Sequence, residues 1–192
     1  MQDLRTYAEK ETLKDGTVVT VRAVRPDDGY KIRTAFKSLD RATLYSRFFG
    51  FKADVTEAEL AHITGVDFER DVALLVTIGS GEDEMVIGGV SYFTVDSDVP
   101  GGSAELAFTV EEEYQGQGIA SSLLRRLAEI ARQKGVGQFE AEVLTSNCAM
   151  LNVFHHSGLP MTLRQDEDIV HVTLSLLPGG DKTPATPPEA NL

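Results

Sequence analysis

The stretch Tyr114-Gln115-Gly116-Gln117-Gly118-Ile119-Ala120 decides the fold, because it joins a predicted strand to a predicted helix. Alternating residues over 103–110 predict the strand, and an apolar stripe over 118–134 predicts the helix. A glycine-rich loop that leads into a helix leaves backbone N–H groups free at the positive end of the helix dipole. The stretch therefore predicts an anion site, with phosphate as the bound group.

The rest of the chain predicts alternating strands and helices. Apolar and alternating runs predict strands, and capping signals such as the Thr56–Glu59 box and Asn147 predict helix starts. The expected strands are 17–24, 72–78, 85–95, 103–110, 139–143, 161–164 and 169–176. The expected helices are 26–39, 42–49, 56–65, 118–134 and 148–157. This order predicts an α/β fold, with a mixed, mostly antiparallel sheet flanked by helices and one βαβ crossover around the loop.

Composition limits the classes of function. The 192 residues carry a formal net charge of −12, which argues against a nucleic-acid partner and is compatible with a cationic substrate. The only cysteine, Cys148, excludes an internal disulfide and is typical of a reducing compartment. No apolar N-terminal region and no run of transmembrane length is present. We therefore predict a cytoplasmic protein without a membrane partner.

A domain boundary is predicted near Leu177. Residues 1–177 contain the alternating pattern and enough apolar residues for one core. Residues 178–192 are rich in proline and contain almost no large apolar side chain, so burial cannot offset the entropy of ordering them. We predict one domain over 1–177 and a disordered tail over 178–192.

Two kinds of anion site are compatible with the loop. The first is a dinucleotide site, with Glu140 or Glu142 as the acid that binds the ribose. Against it, Ser121 stands where the third glycine is expected, and little chain remains after Val143 to complete a doubly wound sheet. The second is an acyl-CoA site of the pattern Gln/Arg-x-x-Gly-x-Gly/Ala, which begins here at Gln115.

In this second pattern, and in the elements around it, residues 17–176 resemble the GNAT N-acetyltransferase family. The resemblance implies that the loop holds the pyrophosphate of acetyl-CoA through Gln115, Gly116, Gln117, Gly118, Ile119 and Ala120. It also implies that the strand end binds the pantetheine arm and the thioester carbonyl through Phe108, Thr109 and Val110, with Asn147 nearby. Close approach of the backbone to phosphate requires glycine, which agrees with the two glycines of the loop.

A narrower resemblance concerns the acceptor. Residues 15–17, 22–28, 45–49, 66–68 and 72–74 are similar to the acetyltransferase domain of bacterial Pat-type protein lysine acetyltransferases. This similarity implies transfer of an acetyl group to a primary amine, with a protein lysine as one candidate acceptor. Arg47, Phe48 and Phe49 are candidates for shaping the acceptor cleft, although packing is the simpler role.

Glu105 is the candidate catalytic residue. Strand alternation places it on one face with Ala107 and Thr109, opposite Leu106 and Phe108. A carboxylate on the strand that leads to the loop can face the reacting amine, and the family resemblance implies a general base there, often acting through water. The alternative is a glutamate on a solvent-facing side of the sheet. Asp71 and Glu142 are the next carboxylates to consider.

The general acid of the family is usually a tyrosine, and the matching position here is Phe154. Either the thiolate leaves without a dedicated acid, or water or another group supplies the proton. The missing hydroxyl also allows a second function, an acyl-CoA-binding sensor or regulatory module without turnover. Tyr114 is predicted to serve packing rather than acid catalysis. The adjacent His155 and His156 point apart on a helix, so no metal site is predicted.

Overall fold

Eight strands form one mixed sheet in the computed structural model, which describes residues 3–48 and 54–177. The strands are β1 Ala8–Thr12, β2 Val18–Ala23, β3 Val72–Ile78, β4 Met85–Val95, β5 Ser103–Val110, β6 Gln138–Leu144, β7 Met161–Asp166 and β8 Ile169–Ser175. The α-helices are α1 Gly29–Ser38, α2 Arg41–Phe48, α3 Glu57–Thr64, α4 Ile119–Gln133 and α5 Cys148–His155. The predicted tail, 178–192, lies outside the described residues.

The strands lie in the order β1-β2-β3-β4-β5-β6-β8-β7. Every neighbouring pair is antiparallel except β5 and β6, which are parallel and are connected through α4. The predicted α/β fold, with its mostly antiparallel sheet and single βαβ crossover, is confirmed.

The sequence analysis did not predict β1. Its residues, Ala-Glu-Lys-Glu-Thr, lack the apolar alternation that indicates a half-buried strand. It is an edge strand that pairs only with β2 among the described residues, and its side chains are mostly exposed. Backbone pairing and ion pairs to α4, rather than burial, hold it in place, so no pattern in the sequence indicated it.

Helices cover both faces of the sheet. β3 is buried along almost its whole length, which explains its continuous apolar run. On one face, α4 packs its apolar stripe, including Leu123, Leu127 and Ala131, against the core. On the other face, α1 and α3 lie over β3, β4 and β5. One face of β5 therefore packs into the core beneath α4, and the opposite face lies toward α1 and α3.

A buried ion cluster attaches α1 to the sheet. The Arg22 guanidinium, 1% exposed, donates two hydrogen bonds of 2.7 Å to Asp28 and bonds of 2.9 and 3.0 Å to Glu84. Lys31 of α1 donates a further bond of 2.5 Å to Glu84. Two cations and two anions thus compensate one another at the junction of β2, α1 and the β3–β4 connection. Hydrogen bonds from Arg22 lower the pKa of Glu84 to about 2, although burial opposes the change.

Replacing Arg22 by methionine should destabilise the fold strongly. The substitution leaves the buried Asp28 carboxylate without a cation and Glu84 with Lys31 alone, and breaking a buried pair in this way costs about 3–5 kcal/mol. Urea denaturation measures the loss of unfolding free energy. The control is Arg70→Met, because Arg70 makes an exposed ion pair of 3.8 Å with Asp96, and such pairs contribute about 0–1 kcal/mol. Equal losses in the two variants would contradict the structural role given to the cluster.

Acid should weaken the fold through Glu84. Its folded pKa of about 2 lies below the ordinary value of 4.5, so its carboxylate stabilises the protein fully above pH 4.5. That contribution is lost as the pH falls from 4.5 to about 2. Denaturation of wild type and Glu84→Gln across this range should show that the difference in unfolding free energy becomes smaller as the pH falls. A difference that stays constant would show that Glu84 does not titrate in this way.

Candidate functional site

The parallel strands β5 and β6 pair over only three positions. The pairs join Ser103–Glu105 to Gln138–Glu140, and beyond them β5 pairs only with β4 and β6 only with β8. The two strands therefore separate toward their carboxyl ends. Within the described residues, no strand covers the edge of β5 over 106–110. This leaves a wedge-shaped opening between two strands of the sheet.

The glycine-rich loop lies at the carboxyl end of this opening. Gly116 has a φ of +73° and Gly118, the N-cap of α4, has a φ of +95°, so both positions require glycine. The N–H groups from Gly116 to Ser121 donate to no group among the described residues. These free donors stand at the positive end of α4, which is the arrangement that binds an anion.

Side chains of the loop hold it in position. The Gln115 amide donates to the Val110 carbonyl at 3.0 Å and to the Thr43 hydroxyl at 3.2 Å. The Gln117 side-chain oxygen accepts a bond of 3.2 Å from the backbone N–H of Asp15. The two glutamines therefore attach the loop to β5, α2 and the N-terminal hairpin, and backbone amides are left to face a ligand.

Glu105 occupies the last paired position of β5, where the opening begins. Its cross-strand partners are Phe93 on β4 and Glu140 on β6, so the three side chains share the sheet face of Ala107 and Thr109. Glu105 is exposed and has no hydrogen-bond or ion-pair partner among the described residues, whereas Glu140 accepts a bond of 2.9 Å from Gln138. The Glu105 carboxylate is thus accessible and free to accept a proton.

A cavity of about 560 Å³ lies on this same sheet face. It separates α1 and α3 from the sheet, and mainly apolar side chains line it. Ala107 and Thr109 of β5 form part of its wall, and the His62 ring of α3 stacks on Phe93 with 4.1 Å between ring centroids. Sequence analysis missed the cavity, because its walls come from segments that only the fold brings together.

The position of the usual family acid is buried. Phe154 is 1% exposed and meets Phe108 edge-on, with 6.0 Å between ring centroids. Burial and the nearby Glu111 and Glu113 raise the pKa of Tyr114, which packs against the core. In these contacts both rings pack against other side chains of the protein. Tyr114 therefore has the packing role that the sequence predicted.

Asn147 caps α5 as predicted, since its side-chain oxygen accepts a bond of 3.1 Å from the Met150 N–H. The other carboxylates have partners: Asp71 accepts a bond of 3.0 Å from the Thr94 N–H, and Glu142 lies 3.3 Å from His171. The alternative of a dinucleotide site is wrong, because the sheet is mostly antiparallel rather than doubly wound.

Other candidates gave no site. Cys148 is exposed at the start of α5. In residues 3–48 and 54–177, no three His, Cys, Asp or Glu side chains are grouped as metal ligands, and no helix is long and apolar enough to cross a membrane. Of the predicted cleft segment 47–49, Arg47 and Phe48 belong to α2, and Phe49 lies outside the described residues.

Comparison with known proteins identifies the family. The model of the acetyltransferase (GNAT) family matches residues 41–159. A Pseudomonas aeruginosa acetyltransferase is 29% identical over 73% of this chain and 74% of its own length. The acetyltransferase Pat of Mycolicibacterium smegmatis is 30% identical over 86% of this chain and 48% of its own length. The crystal structure of the GNAT domain of S. lividans PAT superposes with a TM-score of 0.78, at 29% identity, covering 88% of this chain and 96% of that domain.

The chain therefore belongs to the GNAT acetyltransferase family, and the predicted resemblance is confirmed. By class it is an acetyl-CoA-dependent acyltransferase. The family acts on amines with acetyl-CoA as donor. The chain spans about half the length of the curated Pat relative.

Gly118→Val should weaken CoA binding at least tenfold, or about 1.4 kcal/mol. A β-branched residue resists the φ of +95° that directs the amides of the loop toward the anion. Calorimetric titration with CoA measures the change. The matched control is Gly135→Val, which introduces the same kind of strain, at a φ of +81°, beyond the other end of α4. Unchanged CoA affinity in a folded Gly118→Val protein would contradict the anion site.

Proposed function

We propose that this chain transfers the acetyl group of acetyl-CoA to a primary amine, and that the amine is the side chain of a protein lysine. The observation that carries the proposal is the arrangement along β5. The loop of free amides lies beyond the carboxyl end of this strand, and the edge of the strand over 106–110 is open. Glu105, which has no partner among the described residues, lies where the opening begins. Donor and base would thus be organised by a single strand.

The donor would lie along this strand. Backbone amides from Gly116 to Ala120 would bind the pyrophosphate, with Gln115 and Gln117 supporting the loop. The pantetheine arm would pair with the open edge at Phe108, Thr109 and Val110, and Asn147 would approach it from the carboxyl end of β6. The five residue-to-residue steps from Glu105 to Val110 extend over about 17 Å of strand. An extended pantetheine arm can therefore carry the thioester from the loop toward Glu105.

The reaction would begin with removal of a proton. A lysine-like amine titrates near pH ~10.4 and arrives mostly protonated, so Glu105 accepts its proton directly or through a water. The neutral nitrogen then attacks the thioester carbonyl, and a C–N bond forms. Backbone N–H groups of the open β5 edge stabilise the oxyanion. The C–S bond breaks and the electron pair leaves with the CoA sulfur, while the attacking nitrogen releases its second proton to solvent and becomes a neutral amide.

The leaving group would depart as a thiolate. Phe154 has no hydroxyl and is buried against Phe108, so it cannot supply a proton. A CoA thiolate is a stable enough anion to leave without a dedicated acid and to be protonated by solvent afterwards, because thiols titrate near pH ~8.5. The proposal therefore needs one proton acceptor and no second catalytic side chain.

The acceptor would enter from the face of α1 and α3. The cavity on that face is lined mainly by apolar residues and reaches Ala107 and Thr109, so it can take the aliphatic part of a lysine side chain. The carboxylates of Glu105 and Glu140 on the same face favour a cationic group. Similarity to the Pat acetyltransferase and to the GNAT domain of S. lividans PAT supports a lysine acceptor.

Phe154 also favours one other function, an acyl-CoA-binding sensor without turnover. The two functions differ in a single measurement. Mass spectrometry after incubation of the protein with acetyl-CoA and lysine-containing proteins or peptides should show a gain of one acetyl group on lysine. Acetylation of small amines alone would show that the acceptor is not a protein lysine. CoA binding without any acetylated product would support the sensor function instead.

Glu105→Gln should lower turnover by about 10²–10⁴-fold, because glutamine keeps the size of the side chain but cannot accept a proton. The KM for acetyl-CoA should stay nearly unchanged. The residual rate should rise with pH as the free amine becomes available. Steady-state kinetics between neutral and alkaline pH measure all three effects.

The matched control for Glu105→Gln is Glu142→Gln, which removes an exposed carboxylate from the same sheet face. We expect it to retain turnover. Normal turnover by a folded Glu105→Gln protein would eliminate Glu105 as the base. A loss of turnover in Glu142→Gln instead would assign the role of general base to Glu142 on β6.

A further inference from the structure

The turn between β1 and β2 brings a lysine to the glycine-rich loop. The Lys14 ammonium donates a hydrogen bond of 3.2 Å to the carbonyl of Gly116. The next residue, Asp15, donates its backbone N–H to Gln117, also at 3.2 Å. The two contacts join segments that are 102 positions apart in the chain. The hairpin thus packs against the glycine-rich loop.

The turn that carries Lys14 has a fixed shape. Leu13 and Thr17 close it with a backbone bond of 2.8 Å, and the Gly16 N–H donates to the Leu13 carbonyl at 3.0 Å. Asp15 accepts a further bond of 2.9 Å from the Thr17 N–H through its side chain. Leu13, at 5% exposure, anchors the turn in the core. Lys14 therefore extends from a rigid base rather than from a free loop.

The same hairpin is attached to α4. Arg126 donates hydrogen bonds to Tyr7, Glu9 and Glu11 of the N-terminal segment. Ser122, in the first turn of α4, donates a bond of 2.6 Å to Glu11. Because these contacts hold β1 against the helix that begins at the loop, Lys14 keeps its position relative to the free amides.

The ammonium of Lys14 has unused capacity. It has three N–H donors, and only the bond to Gly116 occupies one of them among the described residues. The residue is exposed, so the two remaining donors can reach a ligand. Within the described part of the chain, Lys14 is the only cationic side chain hydrogen bonded to residues 114–120. In a chain of net charge −12, with Glu111, Glu112 and Glu113 just before the loop, this one cation matters for an anionic ligand.

We propose that Lys14 binds the diphosphate of CoA, so that the N-terminal hairpin completes the donor site. The loop amides contribute dipoles, whereas Lys14 contributes a full positive charge beside the loop. This inference rests on the proposed function, because it takes CoA as the anion. It assigns a ligand-binding role to a segment that lies outside the strand, loop and helix of the βαβ unit.

Calorimetric titration with CoA and with dephospho-CoA tests the assignment. Dephospho-CoA keeps the diphosphate and lacks the 3′-phosphate. Lys14→Met should raise the Kd of both ligands by about fivefold to tenfold, and the salt dependence of binding should become shallower, because one ionic contact with phosphate is lost. The matched control is Lys10→Met, which removes the same charge from the exposed face of β1 and should bind like wild type.

Two further variants separate charge from loop support. Lys14→Arg keeps the charge and should retain most of the affinity, whereas Lys14→Gln keeps a donor for Gly116 and should bind like Lys14→Met. Rescue by glutamine would overturn the proposal in favour of a purely structural contact. Equal affinities in all variants would also overturn it, and an effect limited to CoA would assign Lys14 to the 3′-phosphate. If wild type itself bound neither ligand, the proposed function would fail together with this inference.

Discussion

The early end of the pairing between β5 and β6 is the constraint on which the candidate site depends. Parallel neighbours usually continue to pair along their length, but here the pairing stops at Glu105. Each strand keeps its outer partner, so the sheet stays intact while its centre opens. The unpaired edge of β5, the loop beyond its carboxyl end and the carboxylate where the opening begins are then arranged in one line. A ligand can complete the hydrogen bonds that a neighbouring strand would otherwise make.

The surroundings of this opening are fixed by charged groups. The Arg22 cluster holds α1 beside the sheet, and α1 forms one wall of the apolar cavity on the face of Glu105. On the other side, Arg126 holds the N-terminal hairpin to α4 and thereby places Lys14 at the loop. Both clusters are networks rather than isolated pairs. Two cations meet two anions around Arg22, whereas Arg126 binds two carboxylates and the Tyr7 hydroxyl.

Sequence analysis succeeded where one segment carries its own signal. Gly116 and Gly118 indicated a glycine-rich loop before a helix, the capping box at Thr56 and the cap at Asn147 indicated helix starts, and the alternation of β5 placed Glu105 opposite Phe108. It failed for β1, because the mostly polar side chains of this edge strand lack the alternation of apolar residues that indicates a strand. It also missed the cavity and the contact of Lys14 with Gly116, because each depends on residues that are distant in the chain.

The sequence by itself therefore determined the α/β class, the βαβ crossover and the family, since local periodicity, glycine positions and a contiguous motif suffice for these. Only the tertiary structure decided how far β5 and β6 pair, which carboxylates remain free, and what lies beside the loop. Glu105 and Glu142 have the same chemistry in the sequence, yet the fold gives Glu142 a partner in His171 and gives Glu105 none within residues 3–48 and 54–177. Such differences come from strand register and from long-range contacts, and neither is encoded in a short stretch of residues.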